Sequence, residues 1–529
     1  IRRNEVSNIT ASTNGGLVVP GVYALSNSAN APEAPSESAY NIGVNGLFAR
    51  ASLGYKDYLY VDVTGRQDVS STLPSDNNSF FYPSATVSLV FSELMDVDAV
   101  NFGKFRANYA QVGADAPAQA LANAYNMGTP FGSANLASAP NTDANAGLLP
   151  ESTNSTEIGL EMMLFDNRFG FDLSYYNQES TNQIMPARVS STTGSIFKYV
   201  NAGVIRNQGI EASINFTPVR TKDFEWNINA NYTRNRNEVV SLFEGAENLQ
   251  LAGVQGGITI EARPGQPYGA IYGISHERDA EGRPIVYDNV LYSRGRGGGV
   301  RYLRGEKAVL GNINPDWFGG LNNSFRYKNW TASALIDVSW GGDFFSLDTY
   351  YGYATGIYDL TAGLNDAGNP IRNSIYDADY QVHGGGGAGG LRFTGVSYWD
   401  GSVDADGNND YSNNTVDVDA NGDPLYGDMS FYSNVLGYSR GVAEYHVWDA
   451  SYVKLREVAL QYSVPADLLG QTGIKGLDVS LVGRNLAILW KANPYSDPEA
   501  GLSAGNVQGN QSGAYPAVRE VGVKVNLKF

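Results

Sequence analysis

Along much of this chain, apolar and polar residues take turns. In "FEWNINANYT", Phe224, Trp226, Ile228, Ala230 and Tyr232 occupy every second position, and Glu225, Asn227, Asn229, Asn231 and Thr233 fill the gaps. A period of two places the two sets on opposite faces of a β-strand. The same alternation runs through "WTASALIDVSW" (Trp330, Ala332, Ala334, Ile336, Val338, Trp340), "RFGFDLSYY" (Phe169, Phe171, Leu173, Tyr175) and "GIEASINFT" (Ile210, Ala212, Ile214, Phe216). It closes the chain in "EVGVKVNLKF", where Val521, Val523, Val525, Leu527 and Phe529 share one face. Similar patterns occur near 46–55, 58–66, 85–92, 104–111, 157–164, 320–327, 452–464 and 477–482, and almost no stretch reads as an amphipathic helix of useful length.

One such strand alone would be an ordinary half-buried strand of a soluble sheet. Repetition changes the reading. Asn, Ser, Thr, Glu and Arg fill the polar face in strand after strand, while Trp, Tyr and Phe mark the ends of the apolar face. A transmembrane β-barrel needs this arrangement: a lipid-facing band, aromatic girdles at both interfaces and a wet interior. It must also close, because an open edge in lipid would leave backbone N–H and C=O groups unpaired. A soluble β-helix would show a repeat of fixed length, and none is visible. The expected fold is all-β, a transmembrane antiparallel β-barrel.

The connections alternate in length. "YKD" (55–57), "FDN" (165–167), "PVRTKD" (218–223) and "YKN" (327–329) are short; 114–153, 182–206, 240–316, 344–445 and 491–514 are long. Outer-membrane barrels have short periplasmic turns and long extracellular loops. With that parity, strands at 42–55, 80–93, 154–165, 207–217, 317–327, 446–464 and 515–529 run inward. Strands at 58–72, 99–113, 168–181, 223–239, 330–343 and 475–490 run outward. Thirteen is an odd number, whereas bacterial single-chain barrels are usually even. The expectation is therefore a C-terminal portion of a larger barrel, with residues 1–41 an extracellular loop segment and 42–529 the barrel strands and their loops.

Composition removes several function classes. Cysteine is absent and His numbers 3, so thiolate chemistry and imidazole-based sites have little to build on. The net charge is −18 with acids and bases interspersed, which offers no basic stripe for nucleic acid. No run of eighteen apolar residues forms a transmembrane helix, and "IRRNEVSNIT" at the start is not a signal peptide. No catalytic constellation is visible, so the expectation is not an enzyme. Carboxylate pairs such as Asp377 and Asp379 fall in loops, and the glycine run 384–390 lacks the strand-to-helix setting of a phosphate loop.

Four segments, in order, resemble SusC-like (RagA-like) TonB-dependent transporters of the Bacteroidetes outer membrane. They are "GVIRNQGIEASINFTPVRTKDFEWNINANYTRNRNEVVSL" (203–242), "VLGNINPDWFGGLNNSFRYKNW" (309–330), "WDASYVKLREVALQYSVPADLL" (448–469) and "GRNLAILWKANPYSDPE" (483–499). The resemblance covers most of 42–529. It implies a 22-strand barrel occluded by an N-terminal plug, with a TonB-binding segment before the plug and a SusD-like surface lipoprotein as a lid. Neither plug nor TonB-binding segment is present in these 529 residues, and about nine strands are missing if that strand count holds. The implied function is active import of a large nutrient, an oligosaccharide (glycan) or oligopeptide. The implied partners are the lipoprotein, TonB through the plug, the N-terminal part of the same transporter, and outer-membrane lipid. A passive porin or structural barrel, and a soluble or surface β-rich adhesin, are the alternatives. The resemblance also makes the terminal aromatic Phe529 an assembly signal, beside its plain reading as a girdle residue.

Two candidate binding features lie in the long 344–445 excursion. "DVDANGDPLYGD" (417–428) places Asp417, Asp419, Asn421, Asp423 and Asp428 at oxygen-ligand spacings of an EF-hand-like loop, which would take Ca²⁺. Asp stands at position twelve, where that loop uses Glu. Asn421-Gly422 equally marks a tight hairpin, the stronger reading. "DADGNND" (404–410) is a weaker copy. Substrate contacts would come from Tyr350, Tyr351, Tyr353, Tyr358, Tyr398 and Trp399, whose rings can stack on sugars or bury loops against each other. Packing is the expected role for most of them.

Overall fold

The alternating segments fold as the pattern requires. A computed structural model describes residues 1–288, 300–373, 389–429, 435–438, 441–470, 473–501, 508–515 and 517–529. The sheet has fourteen strands. They are β1 (Arg2–Thr10), β2 (Ser36–Tyr55), β3 (Leu59–Ser70), β4 (Ser79–Leu89), β5 (Val100–Ala114), β6 (Glu151–Leu164), β7 (Phe169–Thr181), β8 (Gly203–Arg220), β9 (Phe224–Leu242), β10 (Trp317–Tyr327), β11 (Trp330–Trp340), β12 (Tyr452–Val464), β13 (Gly476–Lys491) and β14 (Glu520–Lys528).

Two differences from the sequence reading have physical causes. The count is fourteen, not thirteen, because Arg2–Thr10 forms a strand paired with Ser36–Val44. "RRNEVSNIT" has no apolar face, so no period of two betrays it. At the other difference, β12 begins at Tyr452 and not at 446. Val447–Asp449 turns aside to pair with Asp343–Phe345, and Asp449 Oδ1 accepts the Ser451 N–H at 2.7 Å where the chain bends.

The chain divides into two compact units, Ile1–Ser213 with Asn235–Leu249, and Ile214–Arg234 with Gln250–Phe529. In the first unit β1 to β7 pair antiparallel, each with its sequence neighbour. Their polar face is cross-linked by ion pairs: Arg50–Asp62 at 2.6 Å, Lys104–Glu161 at 2.6 Å, and a two-pronged Arg106–Asp172 contact at 2.9 and 2.7 Å. A small buried cluster of Leu73, Ala116, Ala120 and Leu148 closes the loops above it.

In the second unit, β9 pairs with β10 from Phe224↔Tyr327 to Thr233↔Phe318, and β10 to β14 follow in order. Register aligns Ala230, Leu321 and Ile336 on one face across three strands, and Asn229 and Asn322 on the other. The polar face again pairs with itself: Arg326 reaches Glu225 at 3.2 Å, and Thr217 donates to Asn227 at 2.7 Å. Aromatic rings flank the apolar face. Trp226 stacks on Phe325 (5.5 Å) and Trp330 meets Tyr462 (4.8 Å) at one end. Tyr232, Trp317, Trp340 and Trp490 form a chain of contacts of 5.6, 6.3 and 5.2 Å at the other. Trp317 and Phe325 lie eight residues apart on β10. That is ~27 Å of strand, or roughly 20 Å of membrane depth at the usual tilt. The single polar intrusion on that face of β10, Asn323, is satisfied by Trp226 Nε1–H at 3.2 Å.

Three of the four short connections turn through the left-handed region. Lys56 and Asp57 have φ of 47° and 59°, Phe165, Asp166 and Asn167 have 57°, 55° and 59°, and Lys328 has 51°. Positive φ matches the twist of the flanking strands in a tight hairpin. The long connections of the second unit build their own core. Val286, Tyr353, Phe393, Val396, Leu425, Met429 and Leu436 are buried together there. Among the described residues no helix is long and apolar enough to cross a membrane, which says nothing against strands.

Candidate functional site

The densest charge chemistry lies where β12 meets the segment after β13. "YVKLREV" breaks the period of two, because Arg456 and Glu457 are adjacent charges. The fold absorbs them with a β-bulge: the register shifts between Leu335 and Ile336 on β11 and between Leu455 and Glu457 on β12. A bulge re-aims a side chain. Arg456 Nε reaches Asp337 Oδ2 at 2.8 Å, and Glu457 pairs with Arg484 at 2.9 Å.

Lys491–Gly501 then folds back as a strap over this wall. It is shaped from within: Lys491 Nζ donates to Ser496 O (2.8 Å), Asn493 Oδ1 accepts the Ser496 N–H (3.1 Å), and Asp497 Oδ1 accepts the Glu499 N–H (3.0 Å). Its carboxylates meet the cations of β12. Lys454 Nζ lies 2.5 Å from both Asp497 Oδ1 and Glu499 Oε2, and Arg456 also bonds Glu499. Tyr452 OH donates to Glu499 Oε1 at 2.8 Å, and the Tyr452 ring lies 4.7 Å below Lys454 Nζ. The Lys454 and Asp497 side chains are only 5% and 8% exposed. Burial alone would raise the Glu499 carboxyl, but hydrogen bonds from Arg456, Lys454 and Tyr452 outweigh it and hold the group down at about 2.

The strap lines two cavities. One, ≈290 Å³, is lined by Asp343, Phe344, Tyr452, Glu499 and Asn510 among others. The other, ≈260 Å³, is lined by Lys454, Lys491, Tyr495, Ser496, Asp497 and Arg519 among others. Asp343 sits in a dry spot: burial, opposed by the Asn312 N–H and reinforced by Asp449 and Asp316, pushes its carboxyl up.

The aromatic candidates lie elsewhere in this unit. Leu347–Thr355 forms α1, capped by Ser346, whose hydroxyl accepts the Thr349 N–H at 3.1 Å. The helix buries Tyr350 and Tyr353. Tyr353 is ringed by Tyr358, Tyr445 and Tyr495 at 5.7, 6.0 and 6.1 Å. His446 is wholly buried beside them, bonded to Leu436 O at 2.7 Å and Thr349 Oγ1 at 3.1 Å; burial pushes its imidazole down to about 4. Tyr398 packs on the loop core, and Trp399 donates to Ser402 O at 3.0 Å. Tyr351 bonds Gln255 and faces the exposed Tyr438 ring at 5.6 Å. None of the six rings lines either of the two cavities beside the strap.

The calcium-like stretch is a hairpin. Asp419 Oδ1 accepts the Asn421 and Asp423 N–H groups at 2.8 and 2.9 Å, and Gly422 takes φ 86°. Asp417 is spent on the Val396 N–H at 2.9 Å, and Asp428 is fully buried. The same hairpin recurs at 279–283, 365–369 and 404–408, each with an Asp or Asn oxygen accepting two N–H groups and a Gly at φ 82–85°. Among the described residues no three His, Asp or Glu are grouped as a metal set. Asp377, Asp379 and 384–388 lie outside the described residues. Phe529 is 78% exposed, in line with the exposed apolar row of β14.

The strap cluster was missed as chemistry by sequence reasoning, although two of the segments quoted for the resemblance contain it. The one available signal was the adjacent pair Arg456-Glu457, a phase break inside a clean strand.

Comparison with known proteins agrees with this architecture. The sequence model of the family "TonB dependent receptor-like, beta-barrel" matches residues 7–331, more than half of the chain. The chain belongs to this family. Its sheet strands are therefore those of an outer-membrane β-barrel. Among curated relatives, TonB-dependent receptor P3 of Formosa agariphila is 24% identical over 509 residues, covering 91% of this chain and 45% of that protein. TonB-dependent receptor SusC of Bacteroides thetaiotaomicron is 24% identical over 356 residues, covering 62% of this chain and 35% of that protein. Among solved structures, the RagAB peptide importer in its closed-closed state superposes with a TM-score of 0.70 at 17% identity, covering 100% of this chain and 53% of that one. The chain spans about half the length of the curated relatives that it matches over most of its own length.

Proposed function

We propose that this chain is the C-terminal barrel portion of a SusC-like outer-membrane importer that draws energy through TonB and works beneath a SusD-like surface lipoprotein. Cargo is an oligosaccharide or an oligopeptide, too large for a porin. Residues 11–35, between β1 and β2, and the long loops, 344–445 above all, face outward, and 218–223 and 327–329 face the periplasm. Phe529 serves the assembly machinery. The observation that carries the reading is the joint presence of a self-paired polar inner face and a loop module with its own core on a barrel of the TonB-dependent receptor family. A passive pore needs a wet interior but no such extracellular mass.

The test is uptake of labelled oligomers by cells carrying or lacking the intact gene. The reading expects gene-dependent uptake that stops when the proton-motive force is dissipated. Uptake that survives dissipation would favour a passive porin. Extraction of the protein without detergent would favour an adhesin.

A further inference from the structure

We propose that the Lys454–Arg456 pair is a binding site for carboxylate groups of the cargo, held in this structure by the protein's own carboxylates Asp497 and Glu499. The proposal rests on the import reading and names the chemistry that its interior would select.

A lysine that is 5% exposed keeps its charge only if an anion meets it. At Lys454 the anions come from a loop and not from the wall. Asp337 is the one strand carboxylate in the cluster, and it serves Arg456. Lys454 is matched by Asp497 and Glu499 alone among the described residues. The first half of the strap is anchored by Ala492 N–H to Ser451 O at 3.0 Å and by Tyr495 OH to Asp359 Oδ1 at 2.9 Å, whereas Asp497–Gly501 depends on the carboxylate contacts. Between Asp497 and Gly501, every polar bond to the rest of the described protein runs through the two carboxylates; the remainder are internal, such as Ala500 N–H to Asp497 O at 2.9 Å. The strap is an internal ligand of a preformed cation pair.

Replacing one carboxylate by another leaves the cations paired, so the exchange avoids the penalty of exposing a bare buried charge. The route is graded. The Glu499 side chain is 36% exposed and Arg456 22%, so an incoming carboxylate meets Arg456 first and the deeper Lys454 second. Pro498–Gly501 lines the ≈290 Å³ cavity, and Tyr495–Asp497 lines the ≈260 Å³ cavity.

The probe must carry a free carboxylate, from either a peptide C-terminus or a uronic acid. Hydrogen exchange of 491–501 would be followed by mass spectrometry in the intact, detergent-solubilised transporter. The probes are trialanine against trialanine amide, and trigalacturonate against its methyl ester, with chloride matching ionic strength. The expected result is about tenfold faster strap exchange with the free acid, equivalent to ~1.4 kcal/mol, and no change with amide, ester or chloride. The arm that responds identifies the source of the carboxylate. Lys454→Met should leave the strap fast without probe and deaf to it. Should that variant fail to assemble, Asp497→Asn should shift the trialanine or trigalacturonate response to lower concentration. Equal exchange with acid and with its blocked form overturns the proposal, as does a strap in Lys454→Met as protected as in the native protein. Energised uptake by cells is scored separately, so a silent strap in a transporting cell defeats this inference alone, and loss of uptake defeats the import reading.

Discussion

Ala230→Arg tests the facing of the sheet at one residue. Ala230 lies level with Leu321 and Ile336, and Leu321 is four residues from both Trp317 and Phe325, the rings that mark the two ends of the apolar band. Four residues are ~13 Å of strand, or about 10 Å of depth after tilt, so Ala230 sits near the midplane. An arginine facing lipid there costs roughly 2–4 kcal/mol. Its neighbour Asn229 faces Asn322 across the polar face, where a guanidinium stays in water and the cost should be below ~1 kcal/mol. The intact transporter carrying each change would be folded into vesicles, and the urea midpoint read by resistance of the barrel to SDS without heating. Ala230→Arg should lower the folded-to-unfolded ratio by about 30-fold or more, since 1.4 kcal/mol is tenfold. Asn229→Arg should stay close to the parent. Equal losses, or a larger loss for Asn229→Arg, would refute the facing.

Three further outcomes follow from the same structure. Protease added to whole cells should cut within 344–445 and spare 218–223 and 327–329 until the outer membrane is permeabilised; the reverse order would invert the orientation. The Glu499 carboxyl, held at about 2 by Arg456, Lys454 and Tyr452, lies below the ~4.3 of a free glutamate. Its contribution to strap stability is thus complete above pH ~4.3 and lost as pH falls through about 2. Hydrogen exchange of 491–501, corrected for intrinsic rate, should therefore be flat from pH 7 to 5 and accelerate below 4; flat behaviour down to pH 2 would contradict the pairing. Gly422→Ala, at φ 86° with open space around it, should destabilise the 419–423 hairpin by ~1 kcal/mol through backbone strain alone and leave barrel assembly unchanged, read as faster local exchange.

The barrel was legible because lipid imposes one rule on every strand: apolar on one side, polar on the other, aromatic at the ends. β9, β10 and β11 obey it so closely that their bounds follow from the pattern to within a few residues. β1 was not legible because "RRNEVSNIT" carries no apolar row, so no lipid-facing pattern marks it. The aromatic candidates illustrate the limit of composition. Tyr350 and Tyr353 could stack on cargo or bury loops, with packing the expected role for most of the rings; α1 turns both into the core, a contact decided by residues such as Tyr445 and Tyr495 far along the chain. The strap site depends on that same kind of distance. Nothing local tells Lys454 that Asp497, forty-three residues later, will lie 2.5 Å away.

The central claim is that alternate residues of these strands face lipid and a water-filled interior. The direct measurement is spin-label accessibility at each position from 225 to 232 in the intact transporter, reconstituted in a bilayer. Molecular oxygen should relax the label most at 226, 228, 230 and 232, and a water-soluble nickel chelate most at 225, 227, 229 and 231. Accessibility without a period of two, or with the two sets exchanged, would contradict the account.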